Sequence, residues 1–239
     1  MKKYKAIYVD PPWRFKNFSE KGEGRNAISH YDCLTLVDLK KLNINRYADK
    51  DCALFMWVTD PMLDQGLELM KCWGFTFKTV AFYWAKINTK ADLKKLSVEK
   101  DFFTGLGYWT RANCEQCIMG TIGKPKRVGK DVKRLIVDKR REHSRKPEQT
   151  YDRIEKLVDG PYLELFARKT KPNWDSWGDQ VGLFDKKKKV ETRKVLYQKY
   201  SRECTHLITP FTAVLINLKK STCSLAKNCN LVWLVSARL

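Results

Sequence analysis

No stretch of this 239-residue chain approaches the ~20 consecutive apolar residues that a membrane-spanning helix needs. The apolar run nearest the N-terminus, Ala6-Ile7-Tyr8-Val9, stops at Asp10, too early for the apolar core of a signal peptide. A cytoplasmic protein is therefore expected, with its eight cysteines as reduced thiols and not a disulfide framework. Metal ligands are sparse. There are three histidines; Cys114-x-x-Cys117 has no second CxxC, and Cys204, His206, Cys223 and Cys229 fit no regular zinc spacing, so no metal is expected. No internal repeat is present. Acids are also short: 27 Asp and Glu face 47 Lys and Arg, a formal net charge of +20 with a pI of about 9.6. Such an excess points to a polyanionic partner, nucleic acid first and an anionic membrane surface second. With 43% apolar and 12% aromatic residues the chain can still build a core, which excludes a disordered polycation.

What is present is organised around Asp10-Pro11-Pro12-Trp13. The β-branched and aromatic run before it reads as a buried strand, and the prolines stop it, since proline cannot donate to a sheet ladder and holds the preceding residue extended. Asp10 is thus expected at the carboxyl end of a strand, where open α/β sheets bind ligands. There its carboxylate and the Pro11 carbonyl can accept the two hydrogens of an exocyclic amine, and the Trp13 ring can stack on the attached heterocycle. Residues 14–30 are polar and glycine-bearing, a loop long enough to cover a substrate. A short helix is expected over 35–44. Residues 53–58 then read as a strand, 60–73 as a helix begun by Asp60-Pro61 and ended by Gly74, and 75–84 as a further strand. Strand–helix–strand alternation predicts a parallel sheet with crossover helices. A polar loop over 87–111, a possible strand over 114–120, a basic tract over 124–146, a helix from Pro147 to Val158 and a strand over 162–167 follow. The tract holds eleven cations opposed by Asp131, Asp138 and Glu142. Because it runs into Lys146, it is expected beside the site, holding phosphates together with the 14–30 loop.

These residues, taken in order, resemble the Asp-Pro-Pro-Trp adenine N(6)-methyltransferases, which include small phage and bacterial DNA methyltransferases and the catalytic subunit of the eukaryotic messenger-RNA adenosine methyltransferase. The resemblance runs from about Tyr4 to Leu183. It takes in His30-Tyr31, Leu54 to Thr59, Trp73-Gly74-Phe75, Trp84-Ala85-Lys86, Gly107-Tyr108-Trp109, Arg141 to Pro147, Leu163 to Arg168 and Trp174 to Gly178.

The resemblance implies an α/β, Rossmann-like methyltransferase fold: a mostly parallel sheet with helices on both faces, its catalytic strand preceding its cofactor strand. It implies S-adenosylmethionine as cofactor and transfer to the 6-amino group of adenine in DNA, most plausibly double-stranded, with RNA or a silent nucleic-acid-binding relative as alternatives. Asp10, Pro11, Pro12 and Trp13 would be catalytic. Asp10, Lys146, Glu164, Phe166, Arg168, Asp179 and Gln180 would hold the cofactor, with Lys146 on its methionine carboxylate and Glu164 either a ligand or a paired buried acid. Tyr31, Lys86, Trp109, Glu115, Arg140 and Arg141 would lie near the substrate. Asp179 stands where relatives often carry Asn, and the turn at 169–171 is shorter than in the eukaryotic relative. The methyltransferase domain is expected over 1–184. The remainder, 185–239, where the alternation ends, is expected to be a basic appendage with no counterpart in the family.

Overall fold

A computed structural model of the chain describes residues 1–14, 33–107, 109–142 and 144–185. The loop expected beyond Arg14, with His30 and Tyr31, and the appendage after Asp185 lie outside the described residues. The elements are β1 (Tyr4–Val9), α1 (Leu36–Lys41), β2 (Ala48–Val58), α2 (Leu63–Cys72), β3 (Thr76–Ile87), α3 (Val98–Asp101), β4 (Cys114–Ile122), β5 (Leu135–Lys139), α4 (Gln149–Leu157), β6 (Tyr162–Leu165) and β7 (Trp174–Trp177). Among the described residues no helix is long and apolar enough to cross a membrane.

The seven strands form one sheet in the order β5-β3-β4-β2-β1-β6-β7. β1 pairs in parallel with both β2 and β6, β6 with β7, and β3 with β5. β4 runs antiparallel between β2 and β3. The sheet is therefore mixed, with parallel pairs in the majority, and the reversal of β4 matters: its first residues, Cys114 and Glu115, lie at the edge where the other strands end.

Period-two alternation divides the core. Ile7, Val9, Leu54, Met56 and Val58 face one side, where they meet Leu39 of α1 and Leu69 and Met70 of α2. Ala6, Tyr8, Phe55 and Trp57 face the other, against Tyr151 and Ile154 of α4. The central strands are apolar on both faces because helices cover both. α2 starts later than expected: Asp60–Met62 form a 3-10 turn capped at Thr59, and the Asp60 carboxylate accepts from the Gln116 side-chain amide. Gly74 ends the helix as its sequence predicts, at φ 84°.

The sequence reading misses β5, β7 and the short α3 outright, and the first half of β2. β2 begins at Ala48, in a charged stretch. β5 lies inside the basic tract, where Leu135-Ile136-Val137 is too brief to stand out. β7, Trp-Asp-Ser-Trp, has no apolar run and takes its strand geometry from pairing with β6.

Glu164 is one correction to the expected cofactor contacts. It sits on β6 directly beside Tyr8 and is buried among the α4-side core, where the Tyr151 hydroxyl lies 2.9 Å from both of its carboxylate oxygens. A mid-strand position under α4 buries it beneath the ligand edge, so it is the paired acid and does not line the cleft. Burial pushes its carboxyl up to about 7, against the hydrogen bond from Tyr151, which pulls it down.

Two outcomes follow from this packing. Phe55 is fully buried and stacks on Phe82 with centroids 6.0 Å apart, so Phe55→Ala should lower the unfolding free energy by about 3–5 kcal/mol in urea titrations. Glu164, with a folded value of about 7 against roughly 4.3 unfolded, keeps a proton that the unfolded chain has released between those values. Its contribution to stability is thus present at low pH and lost as pH rises toward 7. Glu164→Gln, which still accepts from Tyr151, should gain about 2 kcal/mol at pH 8 and much less at pH 5. A gain independent of pH in urea midpoints would show that Glu164 does not titrate in this range.

Candidate active site

From β1 the sheet extends through β2, β4, β3 and β5, and the chain then returns to place β6 on the other side of β1. The switch point of the sheet is therefore between β1 and β6, where an α/β sheet opens a crevice at the strand ends. Val9 and Leu165 are register partners, so Asp10 and Phe166 leave the sheet side by side. A cleft open to solvent lies there, lined by Asp10, Pro12, Ser144, Phe166, Arg168, Asp179 and Gln180.

The Asp-Pro-Pro-Trp turn is tight. The Trp13 amide donates to the Pro11 carbonyl at 2.8 Å, and the Leu34 amide donates to Pro12 at 2.9 Å. The first bond leaves one lone pair on the Pro11 oxygen for a ligand. It also turns Trp13 inward. The indole is 4% exposed and its Nε1 donates to the Trp57 carbonyl at 3.1 Å. Trp13 is thus a core residue that anchors the turn, with no open face on which a base could stack, contrary to the sequence expectation.

Charges on four other segments gather around Asp10. Lys146 Nζ lies 2.9 Å from Asp10 Oδ2 and 3.2 Å from Glu115 Oε2. Lys86 Nζ meets Glu115 Oε1 at 2.6 Å, and Arg168 approaches Asp10 Oδ2 at 4.0 Å. Burial alone would push the Glu115 carboxyl up, but Lys146 and Lys86 outweigh it and hold it at about 2. Lys86 and Glu115, expected near a substrate base, are therefore bonded to each other, and Glu115 is bonded to Lys146 as well. Asp10 makes both ion pairs through Oδ2 and itself lines the cleft.

The wall of the cleft facing Asp10 carries two strained residues. Phe166 and Ser144 have φ of 56° and 57°, values rare outside glycine and characteristic of functional sites. The Arg168 guanidinium donates to the Ser144 carbonyl and so ties the two segments together. Gly178 lets the next loop close over them: a Cβ there would lie 2.8 Å from the Ala167 nitrogen. That approach brings Asp179 and Gln180 to the cleft. Ser144 was not singled out in the sequence. It lies within the stretch that carries the family resemblance, but nothing in its residue type signals its backbone.

The remaining expected contacts are dispersed. Arg140 is exposed, with its guanidinium 3.7 Å from the Phe103 ring centroid. Arg141 is paired with Asp138 and Glu148. Trp109 is fully exposed, and Tyr31 lies outside the described residues. Cys114 and Cys117 sit three apart on β4, hence on opposite faces, and are no half-site for a metal.

The basic tract divides. β4 runs away from the site, so the segment after Ile122 emerges at the opposite edge. There the Lys124 amide donates to Asp51 and the Val128 amide to the Leu157 carbonyl at the end of α4. β5 then carries the chain back to Lys139. Only the later part, toward Lys146, lies beside the cleft. The expectation that the whole tract borders the site failed because β5 was hidden within it.

Comparison with known proteins agrees with this geometry. The MT-A70 family profile matches residues 4–180. The type II methyltransferase M.MunI of a Mycoplasma species is 31% identical over 198 residues, covering 75% of this chain and 78% of that protein. The N(6)-adenosine-methyltransferase catalytic subunit METTL3 of Homo sapiens is 29% identical over 184 residues, covering 75% of this chain but 28% of that protein. A match that starts at β1 and ends at the Asp179-Gln180 wall of the cleft spans every element that builds the site: the chain belongs to the MT-A70 family of methyltransferases.

Proposed function

We propose that the protein transfers the methyl group of S-adenosylmethionine to the 6-amino group of adenine in DNA. The observation that carries this reading is the placement of Asp10 at the sheet switch point, next to a wall built from Phe166, Arg168, Asp179 and Gln180. A carboxylate suited to an amine and a set of groups suited to a nucleoside share one cleft. The donor set fits the cofactor: Lys146 for its carboxylate, the Phe166 ring for an apolar contact, and Arg168, Asp179 and Gln180 for hydroxyl and ring-nitrogen groups.

When bound, S-adenosylmethionine supplies a methyl group on a cationic sulfonium. The protein's part is to prepare the amine. Its lone pair is delocalised into the purine ring and is poorly nucleophilic. The Asp10 carboxylate and the remaining lone pair of Pro11 can each accept one amine hydrogen, which favours a tetrahedral nitrogen with its lone pair localised. Catalysis is then mainly positioning and electrostatics. As the new C–N bond forms and the C–S bond breaks, the nitrogen gains positive charge beside Asp10, and its extra proton can leave to water.

The extent of the match supports DNA over RNA as the substrate: the aligned region covers 78% of M.MunI but 28% of METTL3. The net charge of +20 suits a phosphate backbone.

Transfer of labelled methyl from S-adenosylmethionine should be seen on duplex DNA. Transfer to RNA alone would move the substrate to RNA, and transfer to no nucleic acid would overturn the reading. Asp10→Ala should still bind the cofactor in calorimetry yet lose at least about 100-fold in transfer rate. Undiminished turnover would remove Asp10 from the chemistry.

A further inference from the structure

Among the described residues, the cations at the two edges of the sheet differ in how far acids neutralise them. Around the cleft most are paired: Lys86, Arg141, Arg145, Lys146, Lys169 and Lys171 each meet at least one carboxylate, and Arg140 lies against the Phe103 ring. At the opposite edge of the sheet, the segment joining β4 to β5 carries Lys124, Lys126, Arg127, Lys130, Lys133 and Arg134. All six are exposed, and among the described residues none of them forms an ion pair with an acid. Asp131 is the one acid between Gly123 and Arg134. Much of the outward positive field of the described residues therefore arises on the face away from the site.

The segment is also held in place. The Lys124 amide donates to Asp51 Oδ1 at 2.7 Å, and the Val128 and Gly129 amides donate to the Leu157 and Lys156 carbonyls at 2.8 Å each. Gly129 allows the closest of these approaches, since a Cβ there would lie 2.4 Å from the Lys156 oxygen. Arg134 bonds the Thr79 hydroxyl at 3.3 Å. A pinned backbone presenting unpaired cations loses little entropy when it meets an anion.

We propose that the β4–β5 segment is a second phosphate-binding surface, which contacts the backbone of the nucleic acid at a distance from the target adenine. This rests on the nucleic-acid reading above. Geometry sets the length of ligand required. β4 has nine residues and spans about 30 Å between the two edges at ~3.4 Å per residue. At ~3.4 Å per nucleotide, a strand leaving the cleft must extend about nine nucleotides before it can reach this surface. Short substrates engage the cleft alone, and long ones engage both.

The test uses the full chain with Lys126→Ala, Arg127→Ala and Lys130→Ala combined, all surface positions remote from the cleft. Binding is read by fluorescence anisotropy on duplexes of about 12 and about 40 base pairs with one central adenine site. On the longer duplex the triple variant should bind roughly tenfold more weakly, with its log–log salt slope smaller by about 2–3. On the shorter duplex, binding and methyl transfer should match the parent protein. Unchanged affinity for the longer duplex, or an equal loss on both, would overturn the proposal. A parent protein that binds with this length dependence but transfers no methyl group would instead overturn the methylation reading and leave the surface standing.

Discussion

Lys146 is the point on which the site depends. It stands between two carboxylates, Asp10 after β1 and Glu115 at the start of β4, and its own side chain is 10% exposed. Two carboxylates at one partly buried edge repel each other, and one would tend to protonate if no cation lay between them. Lys146 and Lys86 hold Glu115 ionised. With Asp10, Glu115, Lys86, Lys146 and Arg168 the cluster carries two negative and three positive charges, a net of +1. Under the proposed function, that balance suits a site that holds a zwitterion and approaches a phosphate chain. It does not by itself argue for stability, because a partly buried ion pair can cost in desolvation what it returns in attraction. Its firmer consequence is registry: five segments from separate parts of the chain must meet, each charge within about 4 Å of a partner, for the charges to balance.

The antiparallel course of β4 makes that meeting possible. In an all-parallel sheet the first residues of β4 would lie at the far edge, and Glu115 could not reach Lys146. Nothing in Cys114 to Ile122 states a direction. Strand direction is fixed by connections and pairing partners, which a local pattern does not record. The same limit hid β5. Three apolar residues among cations look like a solvated segment until their pairing with β3 is known, and without β5 the basic tract seems to lie in one place.

What could be read from the sequence was whatever is local and repeated. The apolar runs of β1, of the later part of β2 and of β6, the amphipathic face of α2, the Gly74 stop and the placement of Asp10 at a strand end all rest on alternation or on a residue's own backbone preference. Asp10, Lys146, Phe166, Arg168, Asp179 and Gln180 were named through family resemblance, and the fold places them around one cleft. Trp13 and Glu164 show the boundary. Both were correctly seen as special, but which way each faces depends on a single hydrogen bond: Trp13 to the Trp57 carbonyl, and Tyr151 to the Glu164 carboxylate. A strand pattern gives a side chain's face, not its depth beneath the ligand edge.

The strained backbones at Ser144 and Phe166 bear on how the cofactor side works. A non-glycine residue at positive φ costs on the order of 1 kcal/mol or more, so two on the same wall need compensation from their surroundings. Arg168 supplies part of it: its backbone follows Phe166 by two residues, and its guanidinium bonds the Ser144 carbonyl. Phe166 is further braced edge-on by Trp177, with centroids 5.6 Å apart. Gly178 brings the next loop against the same backbone. The strain is therefore met by the fold itself, before any ligand arrives, and the wall is shaped in advance. Binding to such a wall spends little on ordering the protein, so more of the interaction remains to fix the position of the reacting group. Position is what a direct transfer to a weak nucleophile most requires, and the Arg168-to-Ser144 tie holds the cofactor wall in register with the lysine that faces Asp10.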